Sequence, residues 1–326
     1  MDSLQGLAYG FGVAFSGSNL LACFFGVLVG TLVGVLPGIG PIGAMALLIP
    51  STFALGPTAA LIMLAGIFYG AMYGGSTTSI LVNVPGEAAS VIATINGYQM
   101  ARKGRAGAAL AVSAVGSFVA GTLGILALMF FAPPLAKVAV EFGPPEYFAL
   151  MLTGLISLSQ LGGGGSLGKS FLMVGLGLLL GTVGMEPISG LPRFTFGQLQ
   201  LTQGVALVPV AMGLYGIAEV LVIAERITGI PDMIKVKLRE LFPTAAEWKR
   251  AFPPMIRGAG VGFFFGLIPG PAAILATFSS YTIEKRISKH PDEFGKGAIE
   301  GVAGPEAANN SAMGGTMVPL LALGVP

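Results

Sequence analysis

Cysteine, histidine and tryptophan each occur once, as Cys23, His290 and Trp248. A lone cysteine cannot form an intrachain disulfide, so no redox compartment can be read from it. A lone histidine excludes a His-based metal site and a Ser-His triad. Charge is scarce as well. Asp, Glu, Lys and Arg make up 10% of the 326 residues, against about 25% in soluble domains. The net charge is +2, and no basic stripe with interleaved aromatics is present, so nucleic acid is not an expected partner. The N-terminus, MDSLQGLAYGFG, has no basic segment ahead of its apolar stretch. That argues against a cleaved secretory signal and for a permanent span.

What is abundant is apolar surface. The chain is 54% hydrophobic with a mean hydropathy of +0.83. A water-facing shell needs more polar side chains than this to cover it, and the bilayer is the simplest solvent for such a chain. Apolar stretches run over about 18–36, 41–55, 57–84, 107–136, 145–161, 166–184, 203–224, 256–281 and 304–326. The expectation is an all-α, polytopic membrane helix bundle. The 41–55 stretch is short and flanked by Pro41 and Pro57, so it reads as a re-entrant or broken segment, since a full span needs about 20 residues. The 51 glycines sit largely inside apolar runs, where small residues let helices approach closely.

Basic residues cluster at 102–105, at 226–257 and at 285–296. The positive-inside rule places all three on one side of the membrane. One apolar stretch, 258–281, separates the second cluster from the third. Either it is a re-entrant hairpin or the third cluster breaks the rule. The segment 226–255, with Trp248, reads as a cytoplasmic loop carrying a short amphipathic helix at the interface, or less readily as a docking site for a partner subunit. The expected organisation is a first repeat over 1–140, connecting membrane helices over 141–225, the loop 226–255, and the start of a second repeat over 256–326.

The repeat is visible in the sequence. GTLVGVLPG at 30–38 matches GFFFGLIPG at 262–270, with Gly30, Gly34, Pro37 and Gly38 recurring 232 residues later as Gly262, Gly266, Pro269 and Gly270. A second motif follows each. Gly74, Gly75 and Ser76 match Gly314, Gly315 and Thr316 at an offset of 240, and Pro85 matches Pro326 at 241. Repeats with Pro/Gly-interrupted spans in corresponding positions point to the substrate site of a secondary transporter. A helix broken at Pro-Gly exposes backbone N–H groups that favour anions, while unwound carbonyls can hold a sodium ion.

Polar residues flank these breaks. The substrate-binding candidates are Gly38, Gly40, Gly75, Ser76, Thr77, Thr78, Asn83, Gly270, Asn309, Asn310, Ser311 and Thr316. The cation-binding candidates are Pro37, Ser79, Pro269 and Glu306. Hydroxyls and amides can donate to a carboxylate and accept around a cation. The plainer reading of each Ser or Thr is a bond to its own helix backbone. Glu306 could bind a cation or a proton, or cap a half-helix N-terminus. Glu87, after Pro85-Gly86, is open to the same alternatives, and Glu219 fits an interface position. No metal site beyond a possible sodium ion is expected. The coupling ion is Na+ or H+, and no other cofactor is implied.

GVLPGIGPIGAMALLIPSTF, YGAMYGGSTTSILVNVPGE, NGYQMARKGRAGAAL, IRGAGVGFFFGLIPG and EKRISKHPDEFGKGAIEGVAGPEAANNSAMGGTMVPLLALGVP together resemble the large membrane subunit of the tripartite tricarboxylate transporters, the TctA family. The resemblance covers essentially the whole chain. Where the family has DGYPMA, this chain has Asn96, Gly97, Tyr98 and Gln99. The family motif continues past Pro326, so a truncated C-terminus is expected. The resemblance implies a cation-coupled permease subunit in a bacterial inner membrane. It also implies a small membrane subunit and a periplasmic solute-binding protein as partners, a possible homodimer, and di- or tricarboxylates as cargo. Enzymatic activity is not implied. LGGGGSLGKS joins two membrane runs rather than a strand and a helix, so it does not read as a P-loop, and no His or Asp in an apolar run could serve a hydrolase. A scaffold or passive channel is the alternative reading.

Overall fold

The computed structural model describes residues 3–36, 39–139, 166–186, 190–205, 242–268 and 272–323, with isolated positions between 143 and 225. Helices dominate them: α1 (Ser3–Ala14), α2 (Gly17–Gly34), α3 (Gly40–Leu48), α4 (Pro57–Val82), α5 (Val91–Met100), α6 (Ala106–Ala139), α7 (Leu167–Gly181), α8 (Ala245–Gly266), α9 (Ala272–Ile287) and α10 (Glu300–Leu323). The strands Gly184–Met185 and Pro192–Arg193 form a small antiparallel ribbon. Three helical stretches among the described residues are long and apolar enough to cross a membrane: Gly17–Gly34, Pro57–Val82 and Val91–Pro134. The last bends at Gly104, whose φ of 77° divides α5 from α6. Large apolar side chains such as Leu32, Phe118 and Phe130 face outward. Such a surface is at home against lipid tails.

Two helix pairs pack with almost no side chains between them. Gly26, Gly30 and Gly34 on α2 lie against the carbonyls of Met63, Ile67 and Ala71 on α4. In return, Gly66, Gly70 and Gly74 lie against those of Cys23, Val27 and Thr31. A Cβ at most of these positions would strike backbone. The order of contacts shows that α2 and α4 run parallel. The pair α8 and α10 repeats the arrangement, with Gly258, Gly262 and Gly266 against the carbonyls of Gly304, Ala308 and Ala312. Close approach through small residues is how membrane helices gain packing without a hydrophobic drive.

Helix α6 reports the relative direction of the two pairs. Along it, Ser113 meets Glu306, Ser117 meets Asn310, and Gly124 meets Ser311 and Gly314. So α10 runs parallel to α6. On α4, Ser76 shares Glu306 with Ser113, while Tyr69 lies beside Gly121. Thus α4 runs the opposite way, and the two pairs are inverted copies.

The spatial register of the repeat differs from the sequence pairing by one residue. Gly74 packs on Thr31 and Gly34, and Gly315 packs on Phe263 and Gly266. The equivalent of Gly74 is therefore Gly315, 241 residues on, in step with Pro85 and Pro326. A Gly-Gly dipeptide aligns equally well in either register by sequence; the carbonyl it faces decides. In this register Glu306 corresponds to Ala65, Asn310 to Tyr69 and Ser76 to Met317. The polar centre belongs to the seam between the copies and is not duplicated.

Each Pro-Gly motif is flanked by the end of one helix and the start of the next. α2 ends at Gly34 and α3 begins at Gly40; α8 ends at Gly266 and α9 begins at Ala272. α3 has nine residues, too few to cross a bilayer. α9 returns along α8, where the Arg257 guanidinium holds Glu284 (2.6 and 2.9 Å). The stretch 258–281 is therefore the re-entrant hairpin, and the third basic cluster comes back to the side of the second.

Charged contacts gather at that end. Arg105 forks onto Glu247, Arg250 binds Glu293 (2.6 Å) and Glu300 (2.9 Å), and Lys103 donates to the carbonyl of Lys296 (2.6 Å). The Arg105 pair and the Thr244 backbone N–H hold Glu247 below the usual carboxylate range in spite of its partial burial. The hydrogen bond from Arg250 does the same for Glu293. Thr244 and Glu247 form a capping box that starts α8. The helix therefore occupies the last part of the segment 226–255, and Trp248 packs half-buried against the apolar cluster that includes Met255. Residues 226–241, with four of the cluster's basic side chains, lie outside the described residues, as does Glu219.

Candidate functional site

The site starts from three residues on one face of α10. Glu306, Asn309 and Asn310 stand at i, i+3 and i+4, a spacing that places side chains side by side. All three are buried, with Glu306 4% exposed. Glu306 accepts from the Ser76 hydroxyl, 2.9 Å from both carboxylate oxygens, and from the Ser113 hydroxyl at 2.9 Å. Ser76 comes from α4 in the first copy and Ser113 from α6, so one carboxylate joins three helices. Among the described residues no Lys or Arg contacts it, although a buried charge normally has a countercharge. Its side chain faces these hydroxyls across the bundle, which removes the capping alternative.

Asn309 donates to the Glu87 carboxylate (3.1 Å). Its own Oδ1 is buried with no hydrogen-bond partner. Glu87 belongs to the loop 83–90, which starts where Asn83 takes a left-handed conformation (φ 59°) and ends α4. Ser90 closes the loop by accepting from the Glu87 N–H (3.1 Å) and donating to the Glu87 carbonyl (2.9 Å). Gly86 presses on Gly75 so closely that a Cβ on Gly86 would strike the Gly75 backbone. A Cβ at Gly40, whose φ is 61°, would stand 3.5 Å from Glu87 Cβ. The end of the first Pro-Gly break thus reaches the second carboxylate.

The other sequence candidates divide clearly. Asn310 donates to Ser117 (2.8 Å) and to the Glu306 carbonyl (3.0 Å). Ser311 donates to the Ala259 carbonyl (2.7 Å), inside the α8–α10 seam. Thr77, Thr78, Ser79 and Thr316 donate to carbonyls of their own helices, though Ser79 also lies 3.0 Å from the Ser90 hydroxyl. Asn83 is an exposed helix terminus. Pro37, Gly38, Pro269 and Gly270 lie outside the described residues. Sequence reasoning missed Ser113, Ser117 and Tyr69. The signal for the serines was there: two polar residues four apart in the apolar run AVSAVGSFVAG mark one face of a span.

Beside this cluster lies a cavity of about 600 Å3 between α2, α4 and α6, with Asn310 at its floor and Tyr69, Tyr73, Ser117, Phe118 and Leu126 among its walls. The Tyr69 hydroxyl is buried without a partner. Among the described residues no group of three or more His, Cys, Asp or Glu could hold a metal ion. A cation here would instead be met by Glu306, the Ser76 and Ser113 hydroxyls, and the unsatisfied Asn309 Oδ1, an oxygen set of the kind hard cations take.

A family model described as "Tripartite tricarboxylate transporter TctA family" matches residues 20–326. The chain belongs to the TctA family. Two curated relatives come from Agrobacterium vitis. One, described as an uncharacterized 52.8 kDa protein in the TAR-I ttuC' 3'region, is 51% identical over all 326 residues. The other, an uncharacterized protein in the TAR-II ttuC' 3'region, is 57% identical over 65 residues, 20% of this chain. The chain spans 64% of the first relative's length, and the second match covers 27% of that relative. No solved structure matches. Membership in TctA, a transporter family, accords with the membrane bundle.

Proposed function

We propose that the chain is the large permease subunit of a cation-coupled, binding-protein-dependent secondary transporter in a bacterial inner membrane. It takes up tricarboxylates or related organic anions such as dicarboxylates. Its partners are a small membrane subunit and a periplasmic solute-binding protein, and the end that gathers the basic clusters faces the cytoplasm.

One observation carries the reading: Glu306 is buried at the seam of the inverted copies, and its partners among the described residues are hydroxyls. A carboxylate in that position must be neutralised by a proton or a cation. The neutralising ion binds where both copies contribute, so its arrival can favour one mutual arrangement of the copies over another. Glu87 and Asn309 extend the site toward the first Pro-Gly break. There, helix ends favour the anion that the coupling ion accompanies. The reading takes Gly38, Gly40 and Gly270 as the anion cradle and Ser76, Glu306 and Asn309 as the coupling site.

Uptake of labelled citrate and succinate into cells with all three components tests it, with sodium and proton gradients imposed separately. Glu306→Gln, which keeps the side chain's size and removes its charge, is expected to abolish gradient-driven accumulation. Accumulation by Glu306→Gln that still follows the gradient as in the native protein overturns the coupling-site assignment. Flux indifferent to both gradients in the native system identifies a passive channel instead.

A further inference from the structure

We propose that the open groove between α2, α4 and α6 is the seat of a further membrane helix of the same polypeptide, the inverted image of α6.

The first support is the repeat. Its contacts fix an offset of 232 residues between α2 and α8 and of 241 between α4 and α10. In the second copy, α6 covers one face of the α8–α10 pair. Gly116 lies over Met255 and the Ala303 carbonyl, and Ser117 accepts from Asn310 (2.8 Å). Further along, Gly124 lies on Ser311 and Gly314, and the rings of Phe131 and Phe263 stand 5.6 Å apart. Carried back through the two offsets, that face becomes Cys23, Thr31, Ile62, Tyr69, Gly70 and Tyr73. Four of these six, Thr31, Tyr69, Gly70 and Tyr73, line the groove.

The same surface is thus covered in one copy and open in the other. Met255 is 0% exposed, whereas its image Cys23 is exposed. α6 does not serve both copies. It is held along α10, and Gly121 reaches only the edge of the Tyr69 ring, at 3.8 Å. Its outward side, with Phe118 75% exposed, forms the far wall of the groove.

The second support is a polar group. The Tyr69 hydroxyl is buried without a hydrogen-bond partner. Tyr69 is the image of Asn310, the residue to which α6 presents Ser117. An unsatisfied buried donor costs about 1–3 kcal/mol. Lipid tails have no acceptor to offer it, whereas a helix can bring one hydroxyl or amide.

The chemistry of the occupant follows from the face it covers. It runs parallel to α2 and α4, as α6 runs parallel to α8 and α10. It carries small residues toward α4, because Tyr69 and Tyr73 fill the space that Asn310 and Gly314 leave to α6. Small residues at such a face let membrane helices approach closely. The repeat places this helix after α10, as α6 follows α4. The relative that is 51% identical has length for it, since this chain spans 64% of that protein.

The test uses the full-length polypeptide in membranes together with its small membrane subunit. Benzoylphenylalanine replaces Phe118, which it resembles in shape, and the peptides joined to it by illumination are identified by mass spectrometry. Crosslinks to a segment of the same polypeptide downstream of α10 are expected. Crosslinks to the small subunit, to a second copy or to lipid alone overturn the proposal. Cys23 gives a second reading with the groove unaltered. In the same complex it is expected to react with N-ethylmaleimide at least about ten-fold more slowly than Leu32→Cys, since a thiol must be accessible to react. Leu32 is the reference because its image, Phe264, is 61% exposed in the covered copy. Equal rates at the two positions mean that nothing covers the face, and overturn the proposal as well.

Discussion

At the residue scale, the molecule concentrates its buried polarity in a few side chains with unequal roles. Ser76 and Ser113 each give a hydrogen bond to Glu306, and bonds to an ionised group contribute about 1.5–3 kcal/mol. Within membranes such bonds average nearer 0.6 kcal/mol. Ser76→Ala and Ser113→Ala are each expected to lower the thermal stability of the purified protein by about 1 kcal/mol and to shift the apparent affinity for the coupling ion. Equal behaviour of these variants and Thr77→Val, whose hydroxyl only meets Tyr73, in the ion titration would show that Glu306 does not bind the ion. Sequence alone could not make this distinction. Any helical Ser or Thr has a carbonyl one turn back within reach, so Ser76 and Thr77 look alike until the neighbouring helix is placed. Glu306 and Asn309 were legible because a carboxylate and an amide inside an apolar run need a partner. Glu87 remained ambiguous because its loop conformation depends on Ser90 and Gly86.

At the scale of the element, the glycines of α2, α4, α8 and α10 act as contact surfaces for carbonyls. Their four-residue spacing was visible in the sequence, as were the breaks at both Pro-Gly motifs and the short α3. The parallel course of each pair and the inversion between them needed the order of contacts, and so did the one-residue change of register. Gly262→Val places a branched side chain against the Ala308 carbonyl, and Gly260→Val, with open space around it, is its matched control. Gly262→Val is expected to lower the unfolding temperature in detergent by several degrees, since overpacking costs about 1–3 kcal/mol, with Gly260→Val close to native. Equal effects would mean that the seam is not as tight as its geometry indicates. Asn96 shows what a departure from the family pattern does locally. Its Oδ1 accepts the backbone N–H groups of Gly295, Gly297 and Ala298 (2.8–3.2 Å) and orders the approach to α10. An Asp could serve those donors equally, while the Asn leaves its own buried Nδ2 without a partner.

At the scale of the whole molecule, the Arg105–Glu247 ion pair ties the copies together at one end, where Arg250 also braces the second copy, and hydroxyls and amides join the copies at the centre. The carboxyls of Glu247 and Glu293 lie below their ordinary value of 4.5 in the folded protein. A depressed carboxylate contributes stability above its unfolded pKa and loses it as pH falls through the folded value. The clasp is thus intact at neutral pH and weakens below about pH 4.5. Thermal unfolding of the purified protein followed from pH 7 to pH 3 is expected to show a falling midpoint. Arg250→Gln removes the partner of Glu293 and Glu300 and is expected to flatten that fall. A native-like slope in Arg250→Gln would assign the acid sensitivity to other carboxylates. The positive-inside rule read this end from composition, but it could not join Arg105 to Glu247 across 142 positions, because a charge count carries no partner.

The inversion of the two pairs has a geometric consequence. Two copies of one unit, set head to tail, need not hold the same internal shape at any moment. If each takes the shape the other now has, the pair of copies is turned by a half-rotation about an axis in the membrane plane. The differences between the α2–α4 half and the α8–α10 half therefore outline a second conformer, drawn from the same coordinates with the halves exchanged.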